Sequence, residues 1–107
     1  MGERANTDIV KEKQPWFVYI IRCKDTSLYT GITRDVSERI RTHNLGQGGH
    51  YTRGRHPVKL LYSEQHGSRS SATKREIEIK KFSRSEKLKL VKNQVMHRPN
   101  YRSRKSR

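Results

Sequence analysis

Cysteine, acidic residues and long apolar runs are all scarce in this 107-residue chain. The single cysteine, Cys23, excludes an intramolecular disulfide and a zinc site built from thiolates, and it favours a reducing setting. No apolar run approaches the roughly 20 residues that span a bilayer, and the N-terminus lacks the apolar core of a signal peptide. The sequence therefore predicts a soluble, cytoplasmic protein with no membrane partner.

Acidic residues number 10 against 25 lysines and arginines, which gives a formal net charge of +15. Such a surface attracts polyanions and releases counterions when it contacts phosphates, so nucleic acid is the expected partner. Apolar residues make up 30% of the chain, enough for the core of one small domain. Charge alone leaves three roles open: a nucleic-acid enzyme, a nucleic-acid-binding module, or a ribosome-associated RNA-binding protein.

Composition divides the chain into three parts. Residues 1–14 are polar and carry few apolar side chains, which predicts a disordered N-terminal leader. Residues 95–107 are rich in arginine and lysine and contain no acid, which predicts a disordered basic tail that adds non-specific phosphate affinity. The folded domain is therefore expected to span residues 15–94.

Within that domain, the run from Trp16 to Ile21 is almost continuously apolar, which predicts a central strand covered on both faces. A second strand at 28–32 completes a hairpin, and its Gly31 indicates a bulge or the close approach of a ligand backbone. The glycines of residues 46–57 predict a loop or lid. With a third strand at 58–65 and helices at 36–45, 71–82 and 83–94, the predicted order is ββαβαα.

Several carboxylates of the domain are expected to cap helices and are therefore not available to bind a metal. Asp35 with Glu38 and Ser83 with Glu86 have capping-box spacing, which assigns these acids to helix starts. The rest provide no cluster of the kind that a two-metal nuclease requires. A metal here would be anchored by one carboxylate, with water and phosphate completing its shell.

The domain carries two tyrosine tripeptides and, later in the chain, an arginine, a histidine and a glutamate. The tripeptides VYI (18–20) and YTG (29–31) are followed by Arg39, His43 and, within ATKREIEIKKFSR, Glu76. In this order they resemble the GIY-YIG nuclease superfamily, and the likeness is greatest to small single-domain proteins related to the Slx1-type nuclease domain. The resemblance covers about residues 16–91. It implies an α/β fold, with a three-stranded, mainly antiparallel sheet flanked by helices.

The resemblance also implies a function in DNA repair: metal-dependent hydrolysis of DNA phosphodiesters, in branched, nicked or single-stranded substrates. One Mg²⁺ or Mn²⁺ and no small-molecule cofactor would be needed. Tyr19 and Tyr29 match the two motif tyrosines, Arg39 the arginine of the first helix, and Glu76 the metal-binding glutamate. His43 lies where some members carry histidine and others tyrosine.

Phosphodiester hydrolysis requires a base near the attacking water and cations around the phosphate. Tyr19 is the candidate base, Arg39 the phosphate clamp, and Tyr29 and His43 the helpers that position water or phosphate. A tyrosine with a pKa of about 10 needs nearby cations, or a group that accepts its proton. Ile32 stands where some members carry a lysine that could supply this help. The cysteines of the zinc-binding partner domain are also missing, so substrate choice would fall to this domain, its tails or another protein subunit.

Further basic and aromatic residues are predicted to contact nucleic acid: Tyr51, Arg53 and Arg55 in the loop, and Lys80 and Arg84 near the last two helices. Each candidate also has an ordinary structural interpretation. The tyrosines could pack a hairpin, and Glu76 could pair with Lys80 one helical turn away. The alternative function is a non-catalytic nucleic-acid-binding module that keeps the nuclease fold. Since Tyr19, Arg39 and Glu76 occur together, the nuclease is the favoured interpretation.

Overall fold

The structure is a computed structural model and describes residues 15–96. Three strands form one antiparallel sheet in the order β2-β1-β3, and four helices accompany it. The strands are β1 (Trp16–Arg22), β2 (Leu28–Thr33) and β3 (Lys59–His66); the helices are α1 (Val36–Asn44), α2 (His50–Arg53), α3 (Arg69–Lys80) and α4 (Arg84–Met96). The predicted α/β class and three-stranded antiparallel sheet are confirmed.

Strand β1 occupies the centre of the sheet, as its continuous apolar run predicts. Because side chains alternate between the two faces of a strand, its residues divide between two cores. Val18 and Ile20 pack with Tyr62 and with Ala72 and Ile79 of α3. Tyr19 and Ile21 belong to a second, smaller cluster with Cys23 and Val58. Tyr19 thus lies on the face of the sheet opposite the larger core.

Two of the helix starts carry the predicted caps. The Asp35 side chain accepts a hydrogen bond from the Glu38 N–H and so caps α1, but Glu38 pairs with Arg41 instead of returning a bond to Asp35. Ser83 and Glu86 form the complete reciprocal box at the start of α4. The acids predicted to cap helices are therefore bound at helix starts.

Helix α2 was not expected, because residues 46–57 are glycine-rich. The glycines precede and follow the segment His50–Arg53, which itself contains none and forms one helical turn. Gly49 enters this turn at φ 123°, a backbone conformation that glycine adopts at low cost. The prediction of a loop throughout 46–57 is therefore wrong over these four residues, and the order is ββααβαα.

Helix α4 ends at Met96, two residues beyond the predicted end of the domain at 94. The leader predicted at 1–14 and the tail from residue 97 onward lie outside the described residues. Within residues 15–96, no helix combines the length and apolar character that crossing a membrane requires.

Candidate active site

The Tyr19 ring packs over Gly31, its paired residue in the neighbouring strand β2. Tyr19 and Gly31 are paired residues of β1 and β2, in a register that runs without interruption from Phe17↔Thr33 to Arg22↔Leu28. A Cβ atom at Gly31 would lie 2.6 Å from the Tyr19 Oη. The bulge considered for Gly31 is therefore wrong, since the sheet irregularity lies between Ile20 and Ile21 on the β3 side. Gly31 instead makes room for the tyrosine ring.

His43 lies in the last turn of α1 and is completely buried. Its Nε2 is 3.0 Å from the Tyr19 Oη, and its Nδ1 is 2.7 Å from the Thr52 Oγ1 of α2. A Cβ atom at Gly48 would lie only 2.0 Å from the His43 Nδ1, so the backbone of the segment before α2 packs directly on the imidazole. Hydroxyl groups thus hold both ring nitrogens, one on each side.

The surroundings shift the pKa of both partners. Burial, and then the positive charge of Arg39, lower the pKa of His43, so the imidazole is neutral near pH 7. Burial raises the pKa of Tyr19 above its usual value, although its interactions with Arg39 oppose this shift. A neutral imidazole offers one donor and one acceptor nitrogen. If Nε2 accepts from Tyr19, the Nδ1–H donates to Thr52.

Arg39 lies one helical turn before His43 on α1, so the two side chains share a stripe of the helix as their spacing predicts. Its Nη2 donates to the Gly48 carbonyl at a distance of 2.9 Å. The same guanidinium is close enough to influence the pKa values of Tyr19 and His43. The structure therefore brings Arg39 together with both residues, and it does so with the help of the segment before α2.

Two aromatic rings, those of Tyr29 and Tyr51, continue from this centre towards α2. The centroid of the Tyr29 ring is 6.4 Å from that of Tyr19 and 5.7 Å from that of His43. Tyr51 of α2 stacks on Tyr29 with 5.5 Å between centroids, and the Arg55 guanidinium lies 4.3 Å from the Tyr51 ring. Arg55 also pairs with Asp25 of the hairpin turn at 2.9 Å. The stack joins α2 to the β1–β2 hairpin.

Glu76 lies on α3 and is linked to Tyr19 by its charge. Its negative charge raises the pKa of Tyr19, and its side chain is 18% exposed. An ion pair 3.3 Å long joins it to Lys80, one turn further along the helix. Glu78, the nearest rival in sequence, is 59% exposed and bound to Arg75, so Glu76 is the acid of α3 that acts on Tyr19.

Most of the basic residues predicted to contact nucleic acid are bound within the protein. Arg53 is exposed on α2, whereas Arg55 is bound to Asp25. Lys80 pairs with Glu76, and the Arg84 Nη1 donates to the Thr26 carbonyl in the hairpin turn at 2.8 Å. Three of these four cations thus have partners within the protein.

Thr52 and Gly48 take part in the site but were not predicted from the sequence. Both belong to the segment interpreted as a loop, where composition points to flexibility. Their contacts to His43 and Arg39 join residues nine positions apart. No sequence periodicity marks such pairs, and the only local hint is a single threonine in a stretch made mostly of glycines and basic residues.

The chain is similar to several known proteins. A family model described as the GIY-YIG catalytic domain matches residues 15–89. The UPF0213 protein SH2523 of Staphylococcus haemolyticus is 56% identical over 75 residues, which cover 70% of this chain and 92% of that protein. A UPF0213 protein of Staphylococcus aureus is 53% identical over 76 residues, covering 71% of this chain and 93% of the relative.

Among solved structures, the solution NMR structure of the protein EF2693 from E. faecalis is similar with a TM-score of 0.56. It is 35% identical and covers 80% of this chain and 92% of that one. The segment matched by the family model contains all three strands and every residue of the candidate site described above.

Proposed function

Because the chain belongs to the GIY-YIG family, we propose that it is a metal-dependent endonuclease that hydrolyses phosphodiester bonds in branched, nicked or single-stranded DNA. The observation that carries this proposal is the bond of 3.0 Å between Tyr19 and the neutral His43, with Arg39 beside it. A nuclease needs a base and a cation close together, and a tyrosine that only packs a hairpin needs neither.

Tyr19 acts as the general base by passing its proton to His43. Its raised pKa means that it does not ionise on its own near pH 7. The His43 Nε2 accepts the phenol proton while the Nδ1–H remains bonded to Thr52, and the phenolate takes a proton from the attacking water. This route needs no lysine after Gly31, where the chain has Ile32.

Arg39 is the proposed phosphate clamp. One nitrogen of its guanidinium is bound to the Gly48 carbonyl, which orients the group and leaves further N–H donors for phosphate oxygens. As the charge on those oxygens grows during hydrolysis, the fixed cation stabilises it without reorganising. Tyr29, packed against His43, positions the water or the phosphate.

Glu76 is the residue that would hold a divalent cation. Its carboxylate provides the oxygen donor that Mg²⁺ or Mn²⁺ prefers, and its described partner is the half-exposed Lys80, which a metal can displace. Within residues 15–96 there is no group of three or more histidine, cysteine or acidic side chains placed to bind a metal. The donor set thus fits a cation bound by one carboxylate, water and phosphate, which when bound supplies positive charge at the reacting phosphate.

The proposal is tested with Glu76→Gln, which keeps the size of the side chain and removes its charge. Cleavage of a panel of single-stranded, nicked, branched and duplex DNA in Mg²⁺ should fall about 10³-fold or more, because several kcal/mol of metal stabilisation are lost. DNA affinity should change little, since the basic surface supplies most of it.

Glu78→Gln is the matched control, because it removes an acid two positions along the same helix and should leave cleavage unchanged. Cleavage retained by Glu76→Gln contradicts the metal assignment. A wild-type protein that binds DNA but cleaves no member of the panel supports the non-catalytic binding module instead.

A further inference from the structure

Trp16, the only tryptophan of the chain, lies near two arginines at the start of the central strand β1. It opens β1 and is partly buried against the larger core. The guanidinium carbons of Arg34 and Arg69 lie 5.6 Å and 5.5 Å from the centroid of its ring. Arg34 follows β2 and Arg69 begins α3, so the fold brings two distant cations to one aromatic ring.

The Trp16 ring and Arg39 line the same open groove. Its volume is about 390 Å³, within the range of about 300–1,000 Å³ typical of small-ligand sites. The rest of its lining runs from the end of β2 along α1, and consists of Ile32, Thr33, Arg34, Asp35, Glu38 and Thr42. The groove is therefore lined both by an aromatic ring and by the proposed phosphate clamp.

Resting on the proposed nuclease function, we infer that Trp16 stacks on an unpaired nucleobase next to the phosphate held by Arg39. Aromatic rings bind exposed base faces in a sequence-tolerant way, and arginine guanidinium planes stack on bases as well. A base inside a duplex is covered on both faces by its neighbours. The groove therefore selects DNA that has an unpaired nucleotide beside the cleaved bond.

The two acids that line the groove already have partners within the protein. The Asp35 carboxylate is occupied in capping α1, and Glu38 pairs with Arg41 at 3.2 Å. Their negative charges disfavour a second phosphate on this wall, whereas a neutral base meets no such repulsion.

The single tryptophan allows a direct measurement. The full chain is titrated with oligonucleotides in EDTA, where no metal supports cleavage, and the fluorescence of Trp16 is followed. We expect a single strand to quench this fluorescence at a concentration at least about fivefold lower than a blunt duplex of the same length. Equal quenching by both DNAs, or quenching by neither, overturns the inference.

Substitution provides the second measurement. Trp16→Ala should weaken single-strand binding, followed by fluorescence anisotropy of a labelled oligonucleotide, by about tenfold to a hundredfold, while duplex binding changes less than about threefold. Trp16→Phe keeps an aromatic ring and should stay within about threefold of the wild type for both DNAs. Equal losses for single strand and duplex with Trp16→Ala would contradict the base-stacking role.

Since Trp16 packs against the core, Trp16→Ala can fail to fold, and a surface pair keeps the inference testable. Arg69→Gln should reduce the ratio of single-strand to duplex affinity about threefold or more, whereas Lys89→Gln on α4 removes the same charge and should leave the ratio unchanged. Equal effects of the two substitutions count against the site.

Failure of the subsite and failure of the nuclease are distinguishable. Selective quenching by single strands without any cleavage in Mg²⁺ retains the subsite and rejects the nuclease. Cleavage without selective quenching retains the nuclease and rejects the subsite.

Discussion

Two clusters, each built on a tyrosine and a histidine, lie on opposite faces of the small sheet and differ in the charge that they hold. The Tyr19 cluster consists of Tyr19, His43 and Thr52. The Glu64 cluster consists of Tyr62, Glu64, His66, Ser71 and Arg75. In both, the histidine bridges two partners through its two ring nitrogens.

A carboxylate occupies the centre of the Glu64 cluster. The Tyr62 hydroxyl donates to it at 2.5 Å, the His66 Nε2 lies 2.6 Å from it, and the Arg75 Nε donates at 2.9 Å. Burial alone would raise the pKa of Glu64, but these hydrogen bonds outweigh burial and lower it. Burial and the adjacent Glu64 raise the pKa of Tyr62 to about 12. The cluster is a closed ion-pair network that ties β3 to α3.

Among residues 15–96, no carboxylate is seen to bond to Tyr19 of the Tyr19 cluster. The phenol instead meets a neutral imidazole, and the charges that act on it are the cation of Arg39 and, more weakly, the anion of Glu76. Three donors bind Glu64 and favour its charged form, whereas the neutral His43 has one nitrogen that can accept from Tyr19. The Glu64 cluster therefore serves structure, and under the proposed function the Tyr19 cluster is the one that transfers a proton.

The largest expected effect comes from removing the Tyr19 hydroxyl, and removal of the Tyr62 hydroxyl is its control. Tyr19→Phe should reduce single-turnover cleavage in Mg²⁺ by about 10²- to 10⁴-fold, the usual contribution of a general base. Tyr62→Phe removes a hydroxyl of similar burial and should change the rate less than about threefold. Circular dichroism checks that both variants fold. Similar losses of cleavage in the two variants would remove the functional distinction between the clusters.

Much of the architecture can be predicted from local sequence. The continuous apolar run of β1 places this strand at the centre, and the capping residues mark the starts of α1 and α4, because both signals depend on neighbours in the chain. The spacing of Tyr19, Tyr29, Arg39 and Glu76 indicates the family in the same way.

Contacts that depend on folding could not be predicted. Gly31 could signal a bulge or a ligand, and only the register of β1 and β2 identifies the Tyr19 ring as the group that it accommodates. The bonds from Thr52 to His43 and from Gly48 to Arg39 arise when α2 closes against α1. The Glu64 cluster likewise joins residues 11 positions apart across β3 and α3, a separation with no periodic signature.

An intermediate effect, on stability, is expected in the Glu64 cluster. Glu64→Gln should lower the free energy of unfolding at pH 7 by about 2 kcal/mol, because Arg75 loses a partly buried partner. Urea denaturation measures the change. Glu38→Gln breaks an ion pair whose side chains are 66% and 56% exposed, and as the control it should change stability by less than about 0.5 kcal/mol.

The contribution of Glu64 to stability should also depend on pH, and the Glu64→Gln variant measures this dependence. Since the pKa of Glu64 is lower in the folded state, the unfolded chain binds more protons as the pH falls below the ordinary value of 4.5. The stabilisation is therefore present above pH 4.5 and is lost as the pH falls through the folded pKa. The difference between wild type and Glu64→Gln should shrink over this window. A difference that stays constant down to pH 2 would show that Glu64 does not hold its charge through this network.

The smallest expected effect concerns the hydroxyl that bonds to each histidine. Thr52→Val removes the acceptor of the His43 Nδ1–H and allows the other tautomer, in which Nε2 cannot accept from Tyr19, so cleavage should fall about tenfold. Thr52→Ser restores the hydroxyl and should restore the rate. Ser71→Ala breaks the corresponding 2.6 Å bond to His66 in the Glu64 cluster and should leave cleavage unchanged.

The pH profile of Thr52→Val separates an effect on the His43 tautomer from a loss of packing. Protonated His43 cannot accept the Tyr19 proton, so wild-type cleavage should decline as the pH falls through the His43 pKa, which lies below the usual 6.5. The imidazolium of the Thr52→Val variant also lacks an acceptor for its Nδ1–H, which lowers that pKa further. The acidic limb of the profile should therefore move to lower pH. A uniform loss of rate at every pH would show that Thr52 contributes only packing and does not fix the tautomer of His43.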